Sequence, residues 1–430
     1  MKKLAYLIYV GIKKILPAVY FMYLFSMVIS MAGMEIFGWS GIFLTIYILV
    51  YDLVVNKEDI FVRHPLNKWF LILACALAIS VLSSPLASEA HIGKLYYLGR
   101  IRNLIFFSYH LIIFERIFSY QRALKTLLYF MLPIVLYALL QKFTGFDPIT
   151  GNWKMHLSMF NSYSMREVFN MYLTYVNVFQ FHFFIILSFV VLGKMGSKLR
   201  FFLISLAILL LASFIFSGGR AIIVAISIGF IVQLFISYRK LPYIIALLAI
   251  MAGSYIAFKT SPYAMDKVKL TINDRNQLGD DWRFHFWKTH LAMFKDHPIK
   301  GVGYEMNEPL TGMYYKKLGI TDPKYFAGHS HNIIVQMLAG TGLLGTIPFL
   351  ILWAMIFYMS FQAFNTAVKQ GDWYNTALCH GLIGGFVSFW VNGMTQWNFG
   401  DFEVTHNMMF FIAVAGYVWL KQRQDLGEKI

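Results

Sequence analysis

The residues best suited to chemistry are His329 and His331, two positions apart in Gly328-His329-Ser330-His331-Asn332, with the Asn332 amide beside them. Imidazole titrates near neutral pH, so such a ring can take a proton from a hydroxyl or donate hydrogen bonds to a phosphate oxygen. The segment stands where a long polar stretch, roughly Ser261 to Gly328, gives way to an apolar run. Ionisable groups at a membrane edge are costly and need a reason to be there. Arginine supplies the complementary chemistry. Arg220 follows Gly218 and Gly219 in a tight turn whose backbone amides suit an anion. Arg100 and Arg102 occur in Gly99-Arg100-Ile101-Arg102-Asn103, and Arg283 follows Asp280 and Asp281. Preorganised guanidinium groups stabilise charge that develops on oxyanions.

Each feature has a plainer reading. Arg220 at a span end can simply snorkel to lipid headgroups, and Arg283 can form a solvated ion pair. His329 and His331, with Glu305, Glu308 and Asp322 nearby in sequence, raise a metal site, but no HExxH or cysteine pair completes a zinc set. The expectation is therefore no metal and no cofactor. Gly340-Thr341-Gly342-Leu343-Leu344-Gly345 lacks the lysine of a phosphate loop and opens an apolar span, so close helix packing is the expected use of its glycines. Trp153, Tyr163, Trp282, Tyr304 and Trp397 lie where sugar stacking is feasible.

The elements that must position these residues are membrane helices. Hydrophobic residues make up 58% of the 430 and charged ones 13%, with a mean hydropathy of +0.60. Apolar runs of about twenty residues recur without period-2 alternation, which predicts an all-α integral membrane protein. Spans are expected near 16–34, 38–55, 67–84, 98–118, 123–142, 170–193, 199–216, 219–237, 241–259, 343–364, 374–394 and 404–420, about 12 transmembrane helices in all. They divide the chain into 1–260, an N-terminal bundle of about nine spans; 261–342, a loop with an amphipathic helix; and 343–430, the last three spans and a short tail. Lys2, Lys3, Lys13 and Lys14 surround a short apolar stretch with no signal-peptide cleavage site, so an interfacial turn is expected there.

Lys57, Arg63 and Lys68, then Arg116, Arg122 and Lys125, Lys194, Lys198 and Arg200, Arg239 and Lys240, Lys369, Lys421 and Arg423 all fall on the side of the N-terminus. The positive-inside rule makes that side cytoplasmic and places both termini there. Topology thus accounts for much of the formal charge of +16 and removes the case for nucleic acid. Arg100 and Arg102 break the pattern, which favours a functional use. In the long outer loop, Trp282, Phe286, Met293 and Phe294 alternate with Arg283, Lys288 and Lys295, which predicts a helix along the membrane surface ending before Pro298. Cys75 and Cys379 sit in apolar runs and read as small buried hydrophobes.

The chain resembles the O-antigen ligase and polymerase superfamily of bacterial envelope glycosyltransferases. The resemblance rests on His331-Asn332 followed by Gly342 and Gly345, on Trp287, Phe294, Asp296-His297-Pro298-Ile299 and Gly301-Val302-Gly303 before them, and on Ser217-Gly218-Gly219-Arg220 opening a span. It covers about the second half of the chain. It implies a GT-C-type fold with a periplasmic catalytic loop before the last three spans, in the bacterial inner membrane. It also implies metal-independent, inverting transfer of a glycan from undecaprenyl diphosphate to an acceptor.

Carried over by position, Arg220 and Arg283 become diphosphate ligands and His331 the base or diphosphate partner. His329, Asn332, Arg100, Arg102 and Tyr304 are candidate substrate contacts, and Arg166, which lacks the Pro-Asn pair of relatives nearby, a candidate glycan contact. The leading expectation is an O-antigen ligase acting on lipid A-core. An alternative is a polymerase extending the undecaprenyl-linked glycan with nearly the same parts. The chain ends soon after its last span, which weighs against a protein O-oligosaccharyltransferase. A transporter of lipid-linked sugar would need paired broken spans, and none is evident.

Overall fold

The structure is a computed structural model that describes residues 2–60, 62–88, 93–146, 172–217, 220–237, 240–259, 282–320 and 328–428. Among these the regular structure is helical. In chain order the helices are α1 Lys2–Ile29, α2 Met31–Tyr51, α3 Pro65–Leu82, α4 Lys94–Ile101, α5 Ile105–Arg116, α6 Tyr120–Thr144, α7 Tyr172–Leu192 and α8 Ser197–Phe216. There follow α9 Arg220–Ile236, α10 Lys240–Lys259, α11 Trp282–Asp296, α12 Asn307–Lys317, α13 Ile333–Gln370, α14 Trp373–Gly393 and α15 Phe402–Asp425.

Seven of them are long and apolar enough to cross a membrane: α1, α2 with its π-turn to Asn56, α3, α6, α7, α8 and α13. Two shorter apolar helices lie in α9 and α10. In a hydrocarbon core only internally bonded backbone is stable, which is why such runs become helices. The chain is thus an all-α membrane protein.

Two sequence expectations are corrected. No separate turn precedes the first helix, because Lys2–Ile29 is continuous and carries Pro17 inside it. It stops at Ser30, short of residue 34: Ser30 takes an extended backbone, and its hydroxyl accepts the Gly33 N–H to start α2. Cys75 is exposed on α3 rather than buried, because its position faces away from the bundle, while Cys379 is buried in α14.

The core is built from α7, α9, α13, α14 and α15, and α15 is buried along nearly its whole length. Small residues let α14 approach α7 closely: a Cβ on Gly381 would stand 2.5 Å from the Ile185 Cα.

The long helix α13 is broken at Gly342, whose φ of +58 no helix permits. The turn-rich run 298–303 fills the break. Val302 and Gly303 donate to the Ala339 and Gly340 carbonyls at 3.0 and 2.8 Å, and Leu343 and Leu344 donate to Pro298 and Ile299 at 2.9 Å. Backbone groups freed by the kink are thereby satisfied. The contact is tight enough that a Cβ on Gly301 would stand 2.4 Å from the Gly340 carbonyl carbon and the Thr341 nitrogen, and Gly301 itself has φ +65. The glycines expected to pack helix on helix thus do something else: Gly340 and Gly342 admit the non-helical run 298–305, and Gly345 faces Thr341 of its own helix.

Candidate functional site

Helix α11 begins the site. Phe286, His290 and Met293 recur at i, i+4 and i+7 and are all buried, so the helix lies against the bundle by that face. It ends at Asp296, two residues before Pro298, as its sequence predicts. This orientation puts Arg283, half-buried, in the first turn, on the side of His331, and the Phe286 ring stacks on the His331 imidazole with centroids 5.7 Å apart and planes at 20°.

His331 takes a φ of +51, a left-handed backbone unusual for a residue with a side chain. Its neighbours hold it there. Asn332 caps α13, its Oδ1 accepting the Ile334 and Val335 N–H groups at 3.0 Å each and its Nδ2 donating to the Met394 carbonyl at 3.0 Å. The Ser330 N–H donates to Gln336 Oε1 at 2.8 Å. His331 Nδ1 lies 2.9 Å from Gln396 Oε1. With that oxygen as acceptor, Nδ1 carries the hydrogen and Nε2 the lone pair.

Burial pulls the His331 pKa below its ordinary value, the Gln396 contact opposes this, and the Arg283 charge adds to it. His329, whose ring centroid is 4.1 Å from that of His331, is pushed down to about 3 by burial and by the charges of His331 and His290. Both rings are therefore neutral at physiological pH, competent as proton acceptors or hydrogen-bond partners. His329 Nδ1 and Trp287 Nε1 are buried without a hydrogen-bond partner among the described residues. No group of three His, Cys, Asp or Glu side chains with metal-binding geometry occurs among the described residues.

A second set of ionisable groups adjoins this one. Arg100 Nε donates to Glu305 Oε2 at 2.7 Å. Glu305 is buried and also left-handed, with φ +59, and burial raises its pKa against the pull of Arg100. Glu308 is half-buried; burial first, then the charge of Glu305, raise it to about 7. Asp401, in the turn before α15, is raised to about 7 by burial and by Glu403. Gln336 connects the two sets: its Oε1 receives the Ser330 N–H while its Nε2 reaches Glu308 Oε1 at 3.4 Å. Tyr304, next to Glu305, is buried, with its ring centroid 6.5 Å from that of Trp397.

The structure brings together Arg283, His329, His331 and Asn332, and sets Arg100 and Tyr304 beside Glu305. It does not join Arg102 to Arg100. Residues two apart on a helix point to opposite sides, and Arg102 pairs with Glu35 and lies over the Trp39 ring at 5.5 Å. There it borders an open groove of about 500 Å3 shared with Leu71, Cys75 and Ile105. Arg220 is the first residue of α9. Arg166 lies outside the described residues, as does the loop around it. Sequence reasoning missed Gln336, Gln396 and Tyr97 and gave Glu308 no role beyond a weak metal candidate; only their occurrence in polar segments between apolar runs marked them.

No curated protein matches the chain. Residues 204–350 match the family model described as O-antigen ligase. The matched region contains Arg220, Arg283, Tyr304, His329, His331 and Asn332 and excludes Arg100 and Arg102. Members of that family are membrane enzymes of the glycosyltransferase and ligase type that act on glycan and lipid-linked substrates. With the Arg283–His331 pair inside it, the region 204–350 of this helical membrane bundle is thus similar to the O-antigen ligase family.

Proposed function

We propose that the protein transfers a polysaccharide from undecaprenyl diphosphate to a sugar of lipid A-core, at the periplasmic face of the bacterial inner membrane, with inversion at the anomeric carbon. In this reading the chain crosses the membrane about twelve times in a GT-C-type arrangement with both termini in the cytoplasm. Residues 261–342 form the catalytic loop. Arg283 and Arg220 hold the diphosphate and carry the charge that a metal carries in other transferases, Arg166 meets the glycan, and Arg100 serves the substrates from the side of Glu305 while Arg102 serves them from the groove beside Trp39.

The observation that carries the reading is the conjunction of Arg283 and His331, from segments nearly fifty residues apart in sequence, joined by the Phe286–His331 stack. Breaking an anomeric carbon to diphosphate bond leaves negative charge on phosphate oxygens, which a fixed guanidinium beside a hydrogen-bonding imidazole stabilises.

The test is purified protein in liposomes with an undecaprenyl-diphosphate-linked glycan and lipid A-core, products resolved by gel mobility. Glycan on lipid A-core, lost in His331→Ala, supports the ligase. Longer chains on undecaprenyl make the protein a polymerase, and no bond formation with either acceptor overturns both.

A further inference from the structure

Glycosyl transfer needs a group to receive the proton of the acceptor hydroxyl, and His331 is not alone in reach of that task. Four carboxylates, Glu305, Glu308, Asp401 and Glu403, gather on the side of the site away from Arg283, with Arg100 as the cation among them. Three are committed. Glu305 is buried against Arg100 at 2.7 Å, Asp401 shares a hydrogen bond with Thr174, and Glu403 is buried in the first turn of α15. The Glu308 carboxylate forms no ion pair among the described residues, and its one hydrogen bond there is the long one from Gln336.

A second observation points to a ligand. Tyr97, on α4, is 2% exposed, its hydroxyl is buried without a hydrogen-bond partner among the described residues, and it lies within the fields of Glu308, Glu305 and Arg100. A buried hydroxyl left unsatisfied beside an uncommitted carboxylate is the arrangement a hydroxyl-bearing ligand completes.

We propose that Glu308 and Tyr97 form the subsite for the acceptor sugar, with the Glu308 carboxylate taking the proton of the attacking hydroxyl. The assignment rests on the glycosyl-transfer reading above. The hydroxyl oxygen bonds the anomeric carbon and its proton passes to Glu308. The bond from that carbon to the diphosphate oxygen breaks, and its electron pair stays with the departing lipid diphosphate. His331 is then left to hold the diphosphate with Arg283. The groups facing Glu308 are Glu305 on its own segment, Tyr97 and Arg100 on α4, Gln336 on α13 and Asp401 before α15. Burial and the neighbouring negative charges place Glu308 at about 7, where a proton acceptor is most effective at neutral pH.

The test uses Glu308→Gln, which keeps size and a hydrogen-bonding oxygen but takes no proton, in the reconstituted assay with undecaprenyl-linked glycan and lipid A-core. The expected result is a fall in turnover of about 100-fold or more with loss of the rise in rate through neutral pH, while binding of undecaprenyl diphosphate is unchanged. Glu308→Asp recovers part of the rate. Tyr97→Phe raises KM for lipid A-core more than it lowers kcat. Wild-type turnover and pH profile in Glu308→Gln overturn the assignment, as does loss of undecaprenyl diphosphate binding in that variant. A wild type that extends chains on undecaprenyl instead refutes the ligase reading but leaves Glu308 open to the same test, because that reaction also consumes an acceptor hydroxyl. A wild type that forms no glycosidic bond overturns both.

Discussion

His331 Nδ1 and Gln396 Oε1 meet at 2.9 Å across 65 residues of sequence, so the loop before α15 orients the imidazole that stands beside Arg283. The same contact raises the affinity of His331 for a proton, opposing burial. Gln396→Ala removes both effects. Glycan transfer by the variant is expected to fall about 10-fold or more, and His331, titrated by NMR of labelled imidazole, to move further down.

Arg283 is expected to act through a planar, forked guanidinium rather than through charge alone. Arg283→Lys keeps the charge and loses the fork, so it should recover little of the roughly 100-fold loss expected for Arg283→Ala in single-turnover transfer from undecaprenyl diphosphate. Full activity in the lysine variant would show that a point charge suffices.

Glu308 makes stability and activity oppose one another. Its folded-state pKa of about 7 stands above the unfolded value of 4.5, so the stability it lends is present below about 4.5 and is lost as pH rises through 7. At pH 8 the folded protein must hold this group ionised. Glu308→Gln removes that cost and should raise the thermal midpoint at pH 8, by the equivalent of about 1 to 3 kcal/mol, with little change at pH 4. A less active protein that is also more stable separates loss of chemistry from loss of fold.

The bracing of the α13 kink makes a sharp prediction about glycine. Gly301→Ala meets both a φ of +65 and backbone atoms at 2.4 Å, and is expected to cost upwards of about 2 kcal/mol and to reduce transfer. Gly371→Ala, at φ +68 with open space around it, bears only the conformational cost of about 1 kcal/mol and should leave transfer unchanged. Thermal unfolding in detergent distinguishes the two.

Asn332→Ala strips the cap of α13 and its tie to the Met394 carbonyl. A loss of about 1 to 2 kcal/mol in stability is expected, and Asn332→Asp, which restores the acceptor but not the Met394 donor, should recover part of it.

Much of the scaffold could be read from short-range pattern. The apolar face of α11 and the proline after it define that helix, and the glycines at 340 and 342 announce close packing, although the partner is the run 298–303 and not a second helix. Arg283 and His331 stand out because charge and imidazole at the edge of apolar runs are rare. The other half of the site was not legible. Gln396, Gln336, Glu308 and Tyr97 are ordinary polar residues in ordinary loops and helices, and they acquire meaning only when folding brings α4, α12, α13 and the segment before α15 to one place. Arg100 and Arg102 show the converse. Two apart in sequence and alike in type, they are sent to opposite sides by the turn of the helix, one to Glu305 and one to Glu35.

The backbone pairing of 298–303 with 339–344 makes Gly342 a splinted elbow. The first turns of α13, which carry Gln336, and the run 298–303 that follows α11 are bolted into one bracket, and Leu343 and Leu344 bolt the start of the apolar portion to the same bracket. The kink is therefore braced from both sides, and the segments that bring Arg283 and His331 together are tied to the long apolar helix as one piece.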